Sequence, residues 1–416
     1  MILSRDIYLK QLIEGRKNGL VKVITGIRRC GKSVLLTEIF HSWLIDNGIP
    51  ADHIINVAMD DRANKALLEP DAILAYVKER ITDKREYIVL IDEVQMIGEF
   101  VSVLLSLLHI KNCDVYVTGS NSRFLSTDIA TGFRGRSQEI HMQPLTFAEY
   151  LQGYHGSRED AWGEYIEFGG LPQILSLPSR QEKIAYLDNL LGTVYLADLI
   201  ERNKIRDDSG LRDLLRILSS AIGSPSNPSR ISKTFESVEK RKIASETLSR
   251  YITYMEEAFL ISEALRYDVK GRKYIGTETK YYFSDVGLRN SATGFRQIEE
   301  NHLMENIIYN ELKARGFNVD VGMVEIQERD GEKMLRKRYE VDFVANQGSR
   351  RYYVQSALRM DTPGKEQQEK NSLNHIPDSF RKIIVTRDQI VPYHDDDGIL
   401  RIGLFDFLLN SQSLDY

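Results

Sequence analysis

The chain has 416 residues, 42% hydrophobic and 28% charged. These shares are near globular averages, and the length corresponds to about three domains. Lys and Arg number 55 against 60 Asp and Glu, a net charge of −5, so bulk charge does not mark a nucleic-acid binder and leaves only a local basic patch open.

Two cysteines, Cys30 and Cys113, exclude a disulfide scaffold and a four-cysteine zinc site, and they fit a reducing compartment. Arg5, Asp6 and Lys10 interrupt any apolar leader at the N-terminus. The longest apolar-rich run, near 100–110, falls short of the roughly 20 residues of a membrane span. A soluble cytoplasmic protein is expected, with no membrane partner.

In chain order, the first 145 residues alternate strand and helix. VKVIT (21–25), INVA within 54–58, YIVLID (87–92) and 114–119 read as strands. Segments 32–46, 70–81 and 99–110 read as helices. This alternation predicts an α/β fold with a mostly parallel sheet covered on both faces. The unbroken IVLI run predicts a central strand. From about Pro144 the pattern turns helical, over 146–152, 158–168 and 180–203, broken at Gly169, Gly170 and Pro172. After a polar break at 206–210 come three helices and a strand pair. SPSNPSR (224–230) reads as a loop, 245–259 as a helix with one apolar face, and 260–283 as a hairpin with VKGRK at its tip. The last block opens with a helix near 298–315. Strands follow at 317–327, 338–345, 350–355 and 382–386.

Gly26-Ile27-Arg28-Arg29-Cys30-Gly31-Lys32-Ser33 matches G-x-x-x-x-G-K-[ST] between a strand and a helix that continues through Val34. In this context backbone N–H groups surround phosphates, and the helix N-terminus favours negative charge. Lys32 then reaches the β- and γ-phosphates, and the Ser33 hydroxyl ligates Mg²⁺. YIVLID ends in Asp92-Glu93, 60 positions after Lys32. Asp92 is placed to hold the Mg²⁺ shell, and Glu93 to orient or deprotonate the attacking water. At the end of the fourth strand, Ser120 or Asn121 is a candidate γ-phosphate contact, with a plain polar turn as the other reading. Arg134 or Arg136, in GFRGR, is a candidate arginine finger reaching a neighbouring subunit. Arg28 and Arg29 face phosphate, a partner or solvent. Cys30 reads as a small filler.

These motifs, VITGIRRCGKSVLL, YIVLIDEVQ, VTGSNS and GFRGR, are followed by FGGLP, YLADLIERNKI, YYFSDVGLRN and YEVDFVA. Together they resemble prokaryotic AAA+ ATPases whose C-terminal half is a region of unknown function with a winged helix and a nuclease-like module. The resemblance implies a P-loop AAA+ core over 1–145, a helical lid over 146–205, a winged-helix domain over 206–290 and a nuclease-like α/β domain over 291–416. It also implies ATP and Mg²⁺ as cofactors and an ATP-driven activity.

Residues 206–290 carry a net charge of +3 and the rest −8. A winged helix there places 245–257 as recognition helix and Lys270, Arg272 and Lys273 on the wing. Lys240, Arg241, Lys242 and Arg250 are then in reach of double-stranded DNA phosphates; protein docking is the rival reading. In the tail, an acid of the first helix (Glu305 or Glu311), Glu340 and Asp342 resemble a PD-(D/E)xK core. Gln355 and Ala357 stand where an active enzyme needs an acid and a lysine, so the module is expected to be inactive. A Mg²⁺-dependent ATPase is the leading reading, with homo-oligomers suggested by the arginines. A slow nucleotide switch with a protein partner, or an ATP-regulated nuclease, are the alternatives.

Overall fold

The computed structural model describes residues 2–119, 132–133, 135–238, 240–274, 276, 278–296, 298–330 and 333–416. The chain divides into two compact units, one of Met1–Leu145 with Glu257–Phe259, the other of Thr146–Glu256 with Leu260–Tyr416.

The first unit is built on five strands: β1 (Val21–Thr25), β2 (Ile54–Ala58), β3 (Tyr87–Asp92), β4 (Cys113–Thr118) and β5 (Ser137–His141). All pair in parallel, in the order β2-β3-β4-β1-β5. β1 and β3 are buried along their whole length, as expected of strands covered on both faces. Apolar side chains of β1–β4 pack with Ile73, Val77, Phe100, Val103 and Leu107 from the covering helices. The order places β1 beside β4 and β5 rather than β2. The strand order therefore reverses its progression at β1, and such a switch point opens a crevice at the carboxyl ends of the strands. One lysine is buried in β1. Lys22 pairs with Asp114 of β4 and lies 4.5 Å from the centre of the Tyr116 ring, which is how the sheet accommodates its charge.

The second unit begins with helices Phe147–Gln152, Arg158–Phe168 and Arg180–Asn189; a π-helical turn, Leu190–Leu196, runs on into Ala197–Arg202. Thr146 and Glu149 form a capping box at the first of these. Helices Asp208–Ser220, Pro228–Val238 and Ser245–Glu257 follow. The loop expected over 224–230 gives way to helix at Pro228. Asn227 accepts the Arg230 N–H at 2.7 Å, and Pro at the first helical position loses no hydrogen bond.

β6 (Ile261–Ala264) pairs antiparallel with β9 (Lys280–Phe283). The tip strands β7 (Arg266–Asp268) and β8 (Lys273–Tyr274) leave this pair. They join a mixed sheet of order β14-β15-β13-β12-β11-β10-β7-β8. Its other strands are β10 (Asn318–Asp330), β11 (Lys333–Gln347), β12 (Arg350–Ala357), β13 (Arg381–Thr386), β14 (Tyr393–His394) and β15 (Leu400–Gly403). The sheet thus draws on residues either side of 290. Helix Glu300–Ala314 packs against it. Among the described residues no helix is long and apolar enough to cross a membrane.

Candidate functional site

The crevice of the first unit gathers the residues of the phosphate-loop motif. Gly26 leaves β1 at φ +139°, and a Cβ there would stand 2.2 Å from the Met142 carbonyl oxygen. Only glycine fits that approach. The loop is braced from behind. Arg5, buried, donates to the carbonyls of Cys30 (3.3 Å) and Gln143 (2.5 Å), and the Cys30 thiol donates to the Met142 carbonyl at 3.6 Å. Cys30 is fully buried. Ile27 is buried, Arg28 half-buried, and Arg29 exposed in a left-handed conformation at φ +65°. Gly31 precedes the helix that carries Lys32, Ser33 and the exposed Val34. Lys32 is buried, and its ammonium donates to the carbonyls of Gly26 and Ile27 at 3.0 Å each. It is thereby held over the loop's own concavity.

Strand order brings the acidic motif to this loop. β4 lies between β3 and β1, so the last residue of β4, Thr118, sits between the ends of the other two. Its hydroxyl donates to Asp92 and accepts the Glu93 backbone N–H at 3.0 Å. Asp92 is buried and also hydrogen-bonded to the Ser33 side chain. Burial pushes its carboxyl above the usual range, against the lowering effect of Thr118 and Ser33. Asp92 and Ser33, touching each other, are a fitting donor pair for a hard divalent cation. Glu93 takes a left-handed backbone, φ +52°, and its carboxylate accepts from the Gln95 amide.

Thr118 and Gln95 lie within the VTGSNS and YIVLIDEVQ motifs, but the sequence singles out Ser120 or Asn121 in the first and assigns Gln95 no role. The signal for Thr118 was a polar residue ending an apolar strand; Gln95 had none. Ser120, Asn121 and Arg134 lie outside the described residues. Arg136 is exposed and immediately precedes β5, whose Ser137 pairs with Val21 at the start of β1. It therefore stands at the opposite strand end from the loop, about 15 Å away at roughly 3.3 Å per residue. From there it meets no nucleotide held by its own loop.

In the second unit, the FGGLP and FSDVGLRN motifs form one joint. The buried Asp285 carboxylate accepts backbone N–H groups of Gly170 at 2.8 Å and Leu288 at 3.0 Å, and also those of Leu171 and Gly287. Asn290 donates to the Ile166 and Glu167 carbonyls, and Arg289 to that of Ser219. Burial pushes the Asp285 carboxyl up to about 6, outweighing the four N–H donors that favour its anion.

Of the two helix acids left open by the sequence, Glu305 faces Glu340 and Asp342 through Lys280, whereas Glu311 pairs with Arg315 at 2.7 Å. Ala357 lies in the apolar core of the sheet. Gln355 accepts the Asp342 N–H and donates to Glu369. Lys240, Lys242, Arg250, Lys270, Arg272 and Lys273 are exposed, while Arg241 is engaged by Asp207 and Ser209.

Residues 18–151 match the family model of the AAA domain, and residues 159–299 match a domain of unknown function (DUF8612). An uncharacterized protein of Haemophilus influenzae is 31% identical over 414 residues, 98% of this chain and 99% of that protein. Another, of Methanocaldococcus jannaschii, is 26% identical, covering 95% of this chain and 86% of its own. Among solved structures, the Aeropyrum pernix ORC1 protein in complex with DNA is similar at 12% identity and a TM-score of 0.31, over 71% of this chain and 93% of that one. The ADP form of ORC2 from the same organism is similar at 11% and 0.33, over 72% and 92%.

Proposed function

The chain belongs to the family of the Haemophilus protein, and its residues 18–151 match the AAA domain; from this premise we propose that it is a Mg²⁺-dependent AAA+ ATPase. The observation that carries the proposal is the convergence of Lys32, Ser33, Asp92 and Glu93 at one end of a parallel sheet. Lys32 is placed to exchange its loop carbonyls for the β- and γ-phosphates of ATP. Ser33 and Asp92 would hold Mg²⁺, which when bound would supply positive charge against that developing on the transferred phosphoryl group. Glu93 orients and deprotonates the attacking water. Arg136 serves as a finger in trans, which requires homo-oligomers. ATP turnover drives conformational change in the second unit.

We place a winged-helix DNA-binding element at 206–290. Three helices precede an antiparallel strand pair whose connecting hairpin carries Lys270, Arg272 and Lys273, and a bridge joins Ser226 to Thr279. Lys240, Lys242 and Arg250 add exposed charge for phosphates.

Steady-state ATP hydrolysis at fixed salt, with and without double-stranded DNA, tests both statements. Wild type is expected to turn over ATP only with Mg²⁺, faster with DNA. Lys32→Ala and Glu93→Gln should each lose about 100-fold or more, with Glu93→Gln still binding ATP. Normal turnover in Lys32→Ala would overturn the assignment of the site. Turnover indifferent to DNA would remove the DNA reading and leave the ATPase intact.

A further inference from the structure

An active PD-(D/E)xK enzyme, which the tail resembles, would hold a divalent metal with the aspartate at the position of Asp342; here Glu305, Glu340 and Asp342 come together, and the donors do not fit a metal. We propose that the ammonium of Lys280 is the permanent cation of this three-carboxylate site, so that the module is metal-free by construction. The inference goes beyond the ATPase reading and does not depend on it.

Glu305 comes from the helix Glu300–Ala314, Glu340 and Asp342 from one face of β11. Three carboxylates brought together repel, and burial sharpens the repulsion by removing water. Something positive must stand among them. Lys280, on β9 and only 3% exposed, is that group. Its Nζ lies 2.9 Å from Glu305 Oε1, 2.8 Å from Glu340 Oε1 and 3.9 Å from Asp342 Oδ1. Tyr282, two residues along the same strand, donates to Glu305 Oε1 at 2.6 Å. The other Asp342 oxygen accepts the Ser356 N–H at 2.8 Å.

Four of the six carboxylate oxygens are thus already turned to protein donors. A Mg²⁺ or Ca²⁺ ion needs six or more oxygens at about 2.0–2.6 Å, and Nζ holds the central position. The remaining donor is also turned away. Gln355 presents its carbonyl oxygen to the Asp342 N–H and its amide to Glu369. Among the described residues no group of three or more His, Cys, Asp or Glu is arranged to hold a metal ion. A lysine reaching in from β9 gives the cluster its counter-charge and, in the same contacts, fastens β9 to the sheet and its helix. A metal could be removed; this cation is covalently part of the chain.

The test is Mn²⁺ binding to the nucleotide-free full chain, read by electron paramagnetic resonance, in wild type, Lys280→Met, Glu340→Gln and the double variant. Wild type should show no Mn²⁺ site that depends on Glu340. Lys280→Met should gain one, about tenfold or more tighter than any wild-type binding. The double variant should lose it. Mn²⁺ should raise the Tm of Lys280→Met by about 4 °C or more and leave that of wild type unchanged. A folded Lys280→Met that gains no site overturns the proposal. So does a wild type whose Mn²⁺ binding is abolished by Glu340→Gln. If Lys280→Met does not fold, the comparison of wild type with Glu340→Gln decides alone. ATP hydrolysis by the same preparations reads the ATPase assignment separately.

Discussion

Thr118→Val is the sharpest test of the crevice, because the change removes one hydroxyl and little volume. That hydroxyl has two partners, the Asp92 carboxylate and the Glu93 backbone N–H at 3.0 Å, and Thr118 is fully buried. A hydrogen bond to a charged group contributes about 1.5–3 kcal/mol, and a buried donor left unpaired costs about 1–3 kcal/mol. The first quantity falls on Asp92. Its carboxyl is already raised by burial and is lowered by the Thr118 bond. Without the bond it rises further, so the anion that binds Mg²⁺ appears only at higher pH. At 1.36 kcal/mol per pH unit, the acid limb of the pH–rate profile should move up by about 1–2 units. The second quantity falls on Glu93, whose left-handed backbone (φ +52°) is held by the same oxygen. Released, the carboxylate loses its aim, and kcat should fall by about tenfold or more even at high pH and saturating Mg²⁺. Mg²⁺-ATPase profiles from pH 5.5 to 9, at fixed ionic strength, measure both effects. Thr118→Ser, which keeps the hydroxyl, should track wild type. A Thr118→Val enzyme with the wild-type acid limb and Mg²⁺ dependence would refute the argument that this hydroxyl tunes Asp92.

Two further predictions concern the joint of the second unit. Gly169 adopts φ +77°, and a Cβ would stand 2.3 Å from Asp285 Oδ1. Gly169→Ala should therefore cost about 3–5 kcal/mol, from backbone strain together with displaced carboxylate hydrogen bonds; chemical denaturation measures it, and a loss below about 1 kcal/mol contradicts the packing described. Asp285 has a folded-state value of about 6, above its ordinary 3.8. The folded state thus holds an extra proton between these values. The stability it contributes is full below about pH 4 and is lost as pH rises through 6, about 3 kcal/mol in all. Denaturation of wild type and Asp285→Asn at pH 4, 5, 6 and 7 should show wild type losing about 3 kcal/mol relative to the variant as pH rises, and a pH-independent difference refutes it.

Much of the first unit was legible because its signals are local. VKVIT and YIVLID are unbroken apolar runs, and the structure begins and ends those strands at the same residues. The helix expected over 32–46 follows its loop, with a π-helical stretch at Leu35–Phe40 between Lys32–Val34 and His41–Asp46. What escaped is what needs strand order. Thr118 matters only because β4 separates β3 from β1, and no spacing in the sequence says so. Likewise, alternation showed a hairpin over 260–283 but not that its tip would pair with β10, more than fifty residues on. Lys280 read as one more charge in a basic segment. Its role appears only when β9 comes to lie beside Glu305 and Glu340.

The two units resolve the same physical problem in opposite ways. Each has a buried carboxylate on a strand, Asp92 and Asp342, where an uncompensated charge is costly. Asp92 is surrounded by hydroxyls, those of Ser33 and Thr118. Hydroxyls stabilise an anion without neutralising it, and they yield when a cation arrives. Asp342 instead shares an ammonium with two further carboxylates. An ammonium neutralises outright and leaves no reason for a second cation to enter. Neutral partners therefore mark a site that takes its cation from solution, and a charged partner marks one that already has it. On this reasoning the proposed Mg²⁺ site belongs to the first unit alone, in keeping with the missing acid and lysine at Gln355 and Ala357.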